Sequence, residues 1–310
     1  MTKAVRTIAV GAAISLSAAQ AHALNTRTWI SGKETDAAGC GPIATPCRTL
    51  QFAHDQTSSG GEIDVLDSAG YGSVIITKGI SVVGDGVIAG ILAGAGANAI
   101  TINAGASDKI LLRGLTIEGA GVGLNGIIFN SGGGVDVANS VVQNFMSYGI
   151  LAQPTSGSPA IVVTNTDISH NGATGFQYLP PSGNPTASII IDRVKAVDNS
   201  YGVIINGFYI TSATLATVSN SIVSKNATNG IRIIGNQTKA NVDLCNADNN
   251  AGTGYYLFSG FLTIGRSVAA NNGGYGLYNN TGTLSSFRDN RFAGNSGGIT
   301  GGVISTGSLN

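Results

Sequence analysis

The sequence predicts an all-β fold: a single-stranded right-handed parallel β-helix, a solenoid of about ten coils with a short capping helix at its N-terminal end. Three observations predict it. Of 310 residues 46 are glycine, while only 10% are charged; globular chains carry about 7% Gly and about 25% charge. A motif of short apolar runs, a polar turn, an asparagine and a glycine returns every 22 to 28 residues from about residue 110 onward. A period of that length, built from strands and turns, marks a stack of coils in which each coil pairs with its neighbours.

The composition excludes several alternatives. Coiled coils and helical bundles need charged, glycine-poor helices, and disorder needs a chain poorer in apolar residues than 43% with more net charge than +0. The glycines lack the three-residue period of collagen. A propeller blade needs about 40 residues, more than this period provides. A sandwich would not hold one register over seven copies, and leucine-rich repeats need leucines that are sparse here.

Residues 1–23 read as a secretory signal: Lys3 and Arg6 open it, an apolar run follows from Ile8 to Ala19, and Ala21-His22-Ala23 supplies small residues for cleavage. The mature chain is then expected to begin near Leu24, soluble and secreted, periplasmic or at the cell surface. No later apolar run reaches the length of a membrane span. Removing Lys3 and Arg6 from the balanced 16 and 16 charges leaves a slight acidic excess, so no basic footprint for nucleic acid is expected.

Residues 24–61 are expected to form an N-terminal cap. Cys40 and Cys47 bracket a Gly/Pro loop and predict a short disulfide in an oxidising compartment. A zinc site is the weaker reading, because only His54 stands near the two sulfurs. Cys245 reads as a small buried residue, with no base beside it. Residues 49–58 predict a short helix with Leu50, Ala53 and His54 on one side, ended by Gly60-Gly61. Packed over the first coil, it would cover an edge that otherwise invites aggregation.

Residues 62–310 are expected to form the β-helix. Strand-like runs occupy 62–66, 73–77, 80–83, 99–103 and 109–112. The repeats then place asparagines at 144, 171, 199, 226, 250, 272 and 295, and glycines at 149, 175, 202, 230, 254, 276 and 298. An asparagine amide can donate to one neighbouring coil and accept from the other, making a ladder along the axis. The glycine is expected to supply a turn conformation that side chains resist. The C-terminal tail shows no matching cap; either it folds over the last coil or another copy pairs there.

Thr28-Trp29-Ile30-Ser31-Gly32, Pro46-Cys47-Arg48-Thr49-Leu50-Gln51, residues 60–66 and 77–84, and the Asn/Gly coils together resemble the right-handed parallel β-helix proteins of the pectin-lyase-like superfamily. The resemblance covers most of the mature chain. It implies the fold, and it implies activities as different as polysaccharide lyases, hydrolases, esterases, tailspikes and adhesins. Hydrolases of that family resemble one another in Asn-Thr-Asp, Asp-Asp, Gly-His-Gly and Arg-x-Lys motifs. Asn165-Thr166-Asp167 matches the first, Arg193-Val194-Lys195 has the last spacing, no Asp-Asp occurs, and His170 sits in Ser-His-Asn-Gly. Glycoside hydrolysis needs paired carboxylates, so the motifs do not support it. For a lyase the resemblance implies calcium held by clustered acids, and here the acids are scattered; otherwise no metal or cofactor is expected.

Aligning coils on the asparagine puts Gln143, His170, Asp198, Lys225, Asn249 and Asn271 in one row, and Ser140, Asp167, Lys195, Ile222 and Asn246 in another. His170, Asp198 and Lys225 would be neighbours at steps of about 4.8 Å, with Asp167 beside Lys195. This is the candidate catalytic cluster; a stabilising charge ladder is the alternative. Two residues past each glycine stand Leu151, Gln177, Ile204, Arg232, Tyr256 and Tyr278. Alternation points them outward, so Tyr256, Tyr278 and Arg232 form a candidate substrate-binding strip, or else a stabilising aromatic ladder. The leading expectation is a protein that engages an extracellular polysaccharide without catalysis. The alternatives are a polysaccharide lyase, or after it a hydrolase, and a surface adhesin or structural protein.

Overall fold

The computed structural model describes residues 24–287, 289–301 and 305–306. The signal-like segment and half of the C-terminal tail, 302–304 and 307–310, lie outside them. Within them the chain winds through three parallel sheets in turn. The first has twelve strands and the third ten; the second has seven, continued through bridges at Asn246 to a further pair. These counts give about ten coils.

One coil shows how the sequence makes the turn. Ala187–Asp192 lies in the first sheet, Lys195–Val197 in the second and Tyr201–Asn206 in the third. The next coil repeats it with Thr214–Ser219, Ile222–Ser224 and Ile231–Ile234. The β-branched residues suit extended backbone. Alternation sends Ile189, Ile191 and Ala196 inward, where they stack on Ala216, Val218 and Val223. Val203 and Ile205 likewise stack on Ile231 and Ile233. Each isoleucine so buried contributes about 1.5–3 kcal/mol by leaving water.

The N-terminal end differs in detail from the expectation. The helix is Leu50–Gln56, with Thr49 as N-cap accepting from Phe52 N–H, and Leu50, Ala53 and His54 face the core. A strand begins at once at Thr57, whose hydroxyl donates to Ala53 O, so Gly60 and Gly61 lie inside Thr57–Val65 instead of ending the helix. The first sheet starts still earlier, with Asn25–Ile30 paired to Thr57–Val65; the cap and the solenoid overlap. Cys40 and Cys47 are disulfide-bonded with Cα atoms 5.1 Å apart. Their loop pairs with the outer edge of Asn25–Ile30 through Trp29 N–H to Gly41 O and Cys47 N–H to Trp29 O. The disulfide loop thus covers the sheet edge while the helix covers the core. Burial lowers the pKa of His54, whose Nε2 accepts from Thr77 N–H.

Two corners are built alike. After the first sheet, Asn139, Asn165, Arg193, Asn220, Leu244 and Arg266 have φ between 45° and 53°. After the second, Asn144, His170, Asp198, Lys225, Asn249 and Asn271 have φ between 55° and 61°. The left-handed conformation that turns the chain is therefore carried by these residues. The glycines at 149, 175, 202, 230, 254 and 276 are not in it, which corrects their expected role. They allow close approach instead: a Cβ on Gly202 would stand 2.1 Å from Val223 Cγ1 and 2.7 Å from Gly230 O.

Candidate functional site

The asparagine following each left-handed residue of the second corner from His170 to Asn271 is buried, and its amide runs a continuous ladder. Asn171, Asn199, Asn226, Asn250 and Asn272 each donate from Nδ2 to Oδ1 of the next, ending on Asn295. The same Oδ1 atoms accept backbone N–H groups, as Asn226 Oδ1 does from Asn199 N–H at 3.1 Å. Asn144 is outside this ladder. Phe145 holds that place, giving its N–H to Asn171 Oδ1, while Asn144 takes the left-handed position and donates to Glu118. Rows aligned on Asn144 shift accordingly: Asn144, not Gln143, matches His170, and Val141, not Ser140, pairs with Asp167. At the other end Leu277 pairs with Thr300, so Ile299 and not Gly298 stands in the glycine column.

The candidate catalytic residues fall on the second sheet and the corner after it. His170 Nε2 lies 3.9 Å from Asp198 Oδ2, longer than a hydrogen bond. Both face solvent, at 59% and 42% exposure. Lys225 follows in the next coil, and the three line a shallow depression of about 590 Å³. Asp167 and Lys195 pair at 2.9 Å, but in the strands rather than at the corner. The depression holds one carboxylate and nothing that excludes water. Acid–base chemistry on a sugar needs two positioned groups and a sheltered site, and this arrangement offers an exposed ladder of opposite charges. Among the described residues no three or more His, Cys, Asp or Glu gather as metal ligands, whereas calcium takes about six to eight oxygens, several of them from carboxylates.

The candidate binding strip is better formed. Arg232, Tyr256 and Tyr278 occupy one outward row of the third sheet, in register across three coils. The Arg232 guanidinium lies 5.3 Å from the ring centres of both Tyr256 and Phe258. Tyr256 and Tyr278 meet edge to face at 5.4 Å, and Tyr275 stacks on Tyr278 at 4.9 Å. All four rings are half-buried, standing side by side as a ridge. Phe258 and Tyr275 escaped the sequence reading. They sit two residues past Tyr256 and one before the glycine, so the same alignment held the signal.

A groove of about 590 Å³ on the first sheet also went unread. Ile190, Leu215 and Phe261 give it apolar walls, Thr217 and Asn241 a polar floor, and Lys239 lies 5.8 Å from the centre of the Phe261 ring. The loops before it carry Phe208 and Tyr209, exposed and edge to face at 5.3 Å. Cys245 is buried, with a thiol pushed up to about 11 by burial. It stands in the column of Ser221 and Ser267 at the first corner and donates to Val218 O and Asp243 O, much as Ser221 does to Ser219 O. Asn226 and Asn279, which open sequences of the glycosylation type, are buried.

A right-handed β-helix region of known family type matches residues 125–296, more than half of the chain. The chain belongs to the right-handed β-helix family. A crystal structure of a pectate lyase superposes with a TM-score of 0.68 at 14% identity, covering 92% of this chain and 80% of that one. The A-module of an Azotobacter vinelandii mannuronan C-5 epimerase does so with a TM-score of 0.51 at 14% identity, covering 80% and 91%. At such identity the likeness is one of fold: a right-handed parallel β-helix of the pectin-lyase-like type. No curated protein matches the chain. Among the described residues no helix is long and apolar enough to cross a membrane.

Proposed function

We propose that this β-helix protein is secreted to the periplasm, cell surface or medium and engages an extracellular polysaccharide by binding, without catalysis. One observation carries the reading: the aromatic ridge of Tyr256, Phe258, Tyr275 and Tyr278 with Arg232 across three coils. Flat rings at successive coils, about 4.8 Å apart, offer a polymer of rings repeated apolar contact, and the guanidinium adds hydrogen-bond donors. The names of the two similar structures, a pectate lyase and a mannuronan epimerase, agree with a polysaccharide. The test is binding of the purified chain to a polysaccharide panel before and after Tyr256→Ala with Tyr278→Ala. Loss of binding in a folded variant is expected; unchanged binding rejects the ridge.

A lyase is the second reading, favoured by His170, Asp198 and Lys225 sharing one depression. It predicts ultraviolet-absorbing unsaturated ends from a uronate polymer, abolished by His170→Ala.

A further inference from the structure

Charge is distributed unevenly around the coil. Among the described residues, Arg232 is the one charged residue in the ten strands of the third sheet. The pattern runs past the strands. From residue 145 onward, the stretch from the second corner through the third sheet and its loops into the first sheet carries almost no charge. Residues 145–160, 171–191, 199–219, 249–265 and 271–287 contain no Asp, Glu, Lys or Arg, and 226–242 contain only Arg232 and Lys239, the latter in the first sheet beside Leu215 and Phe261. The rest of each coil is different: the second sheet carries Glu118, Asp167 and Lys195, and the far end of the first-sheet strands carries Asp192 and Asp243. Arg232 itself is laid over two rings.

We infer that the ridge takes a neutral glycan and not a polyuronate; this rests on the polysaccharide reading of the same ridge. A polyuronate brings a carboxylate with each sugar. Lying across several coils, it would press several anions against an arc that offers two cations, Arg232 and Lys239, each already laid against aromatic rings. Carboxylates that lose water without gaining partners oppose binding. A neutral glycan incurs no such cost. Its C–H faces fit Tyr256 and Tyr278, and its hydroxyls meet uncharged donors and acceptors such as the exposed amide of Asn280. The absence of acidic residues across the arc, loops included, with only Arg232 and Lys239 as cations, suits a surface for an uncharged polymer.

The experiment is affinity electrophoresis of the full chain through gels holding arabinan, galactan or β-glucan, or else polygalacturonate or alginate, at low and high salt. Retardation by a neutral polymer, unchanged by salt, with none by the uronates, is the expected result. Tyr256→Ala with Tyr278→Ala should weaken it about tenfold, with thermal unfolding confirming the fold. The wild-type comparison decides without the variant. Retardation by either uronate in preference to the neutral polymers overturns the inference and leaves the polysaccharide reading standing. Retardation by none of the five overturns the reading itself.

Discussion

The corner after the second sheet and the corner after the third follow opposite rules. At the former the six coils from Asn144 to Asn271 use a left-handed residue followed by a buried side chain, asparagine in five of them in succession. At the latter the connection covers only 235–237, 258–260 and 280–282 in the later coils and 77–79, 104–108 and 132–133 in the first ones, but 153–159, 179–186 and 207–213 in the middle ones. The difference is a matter of who satisfies the backbone. In the asparagine corner each amide serves the coils on both sides, so an inserted residue would leave buried polar groups without partners. In the loop corner most residues of the longer connections stand open to solvent, and lengthening a loop costs little entropy. The almost uncharged, aromatic surface proposed to bind glycan lies between these two corners, held in register by one and left free to vary at the other.

The largest effect expected from this contrast is at the centre of the ladder. Asn226→Leu removes the acceptor of Asn199 N–H and the donors to Asn250 Oδ1 and Ala196 O. Urea denaturation should show a loss of about 2–4 kcal/mol, and a loss below about 1 kcal/mol would mean that the ladder is ornament to the sheet packing. Cys245→Ser should stay within about 1 kcal/mol of wild type by the same measurement, because the column already alternates with serines that make the same kind of bond. A much larger loss would show that the thiol packs in a way serine cannot. Smallest of all, Phe208→Ser with Tyr209→Ser should shift stability by no more than about 0.5 kcal/mol, since both side chains are exposed at 59% and 64%. A drop comparable to that of Asn226→Leu would erase the distinction between the corners.

Much of this architecture could be read in the chain itself. The glycine alignment placed Leu151, Gln177, Ile204, Arg232, Tyr256 and Tyr278 in one row, and the pairing follows it residue by residue. Asp167 opposite Lys195 was equally legible. The errors have a common origin. Asn144 was read as a rung because asparagine suits both the ladder and the left-handed position before it; only the hydrogen bond from Phe145 to Asn171 distinguishes them. The glycines were read as turn formers because that is their frequent use, whereas the neighbouring coil's crowding is a property of the stack.

The sequence by itself determined the period, the inward and outward faces, and the almost uncharged arc, because each depends only on spacing and side-chain type. Tertiary structure decided which residue of a turn is left-handed, which asparagine is a rung, how the Cys40–Cys47 loop seals the edge, and how Tyr256 and Phe258 close on Arg232. Those outcomes depend on atoms contributed by adjacent coils, some two dozen residues away along the chain, whose exact height is fixed only when the coils are stacked.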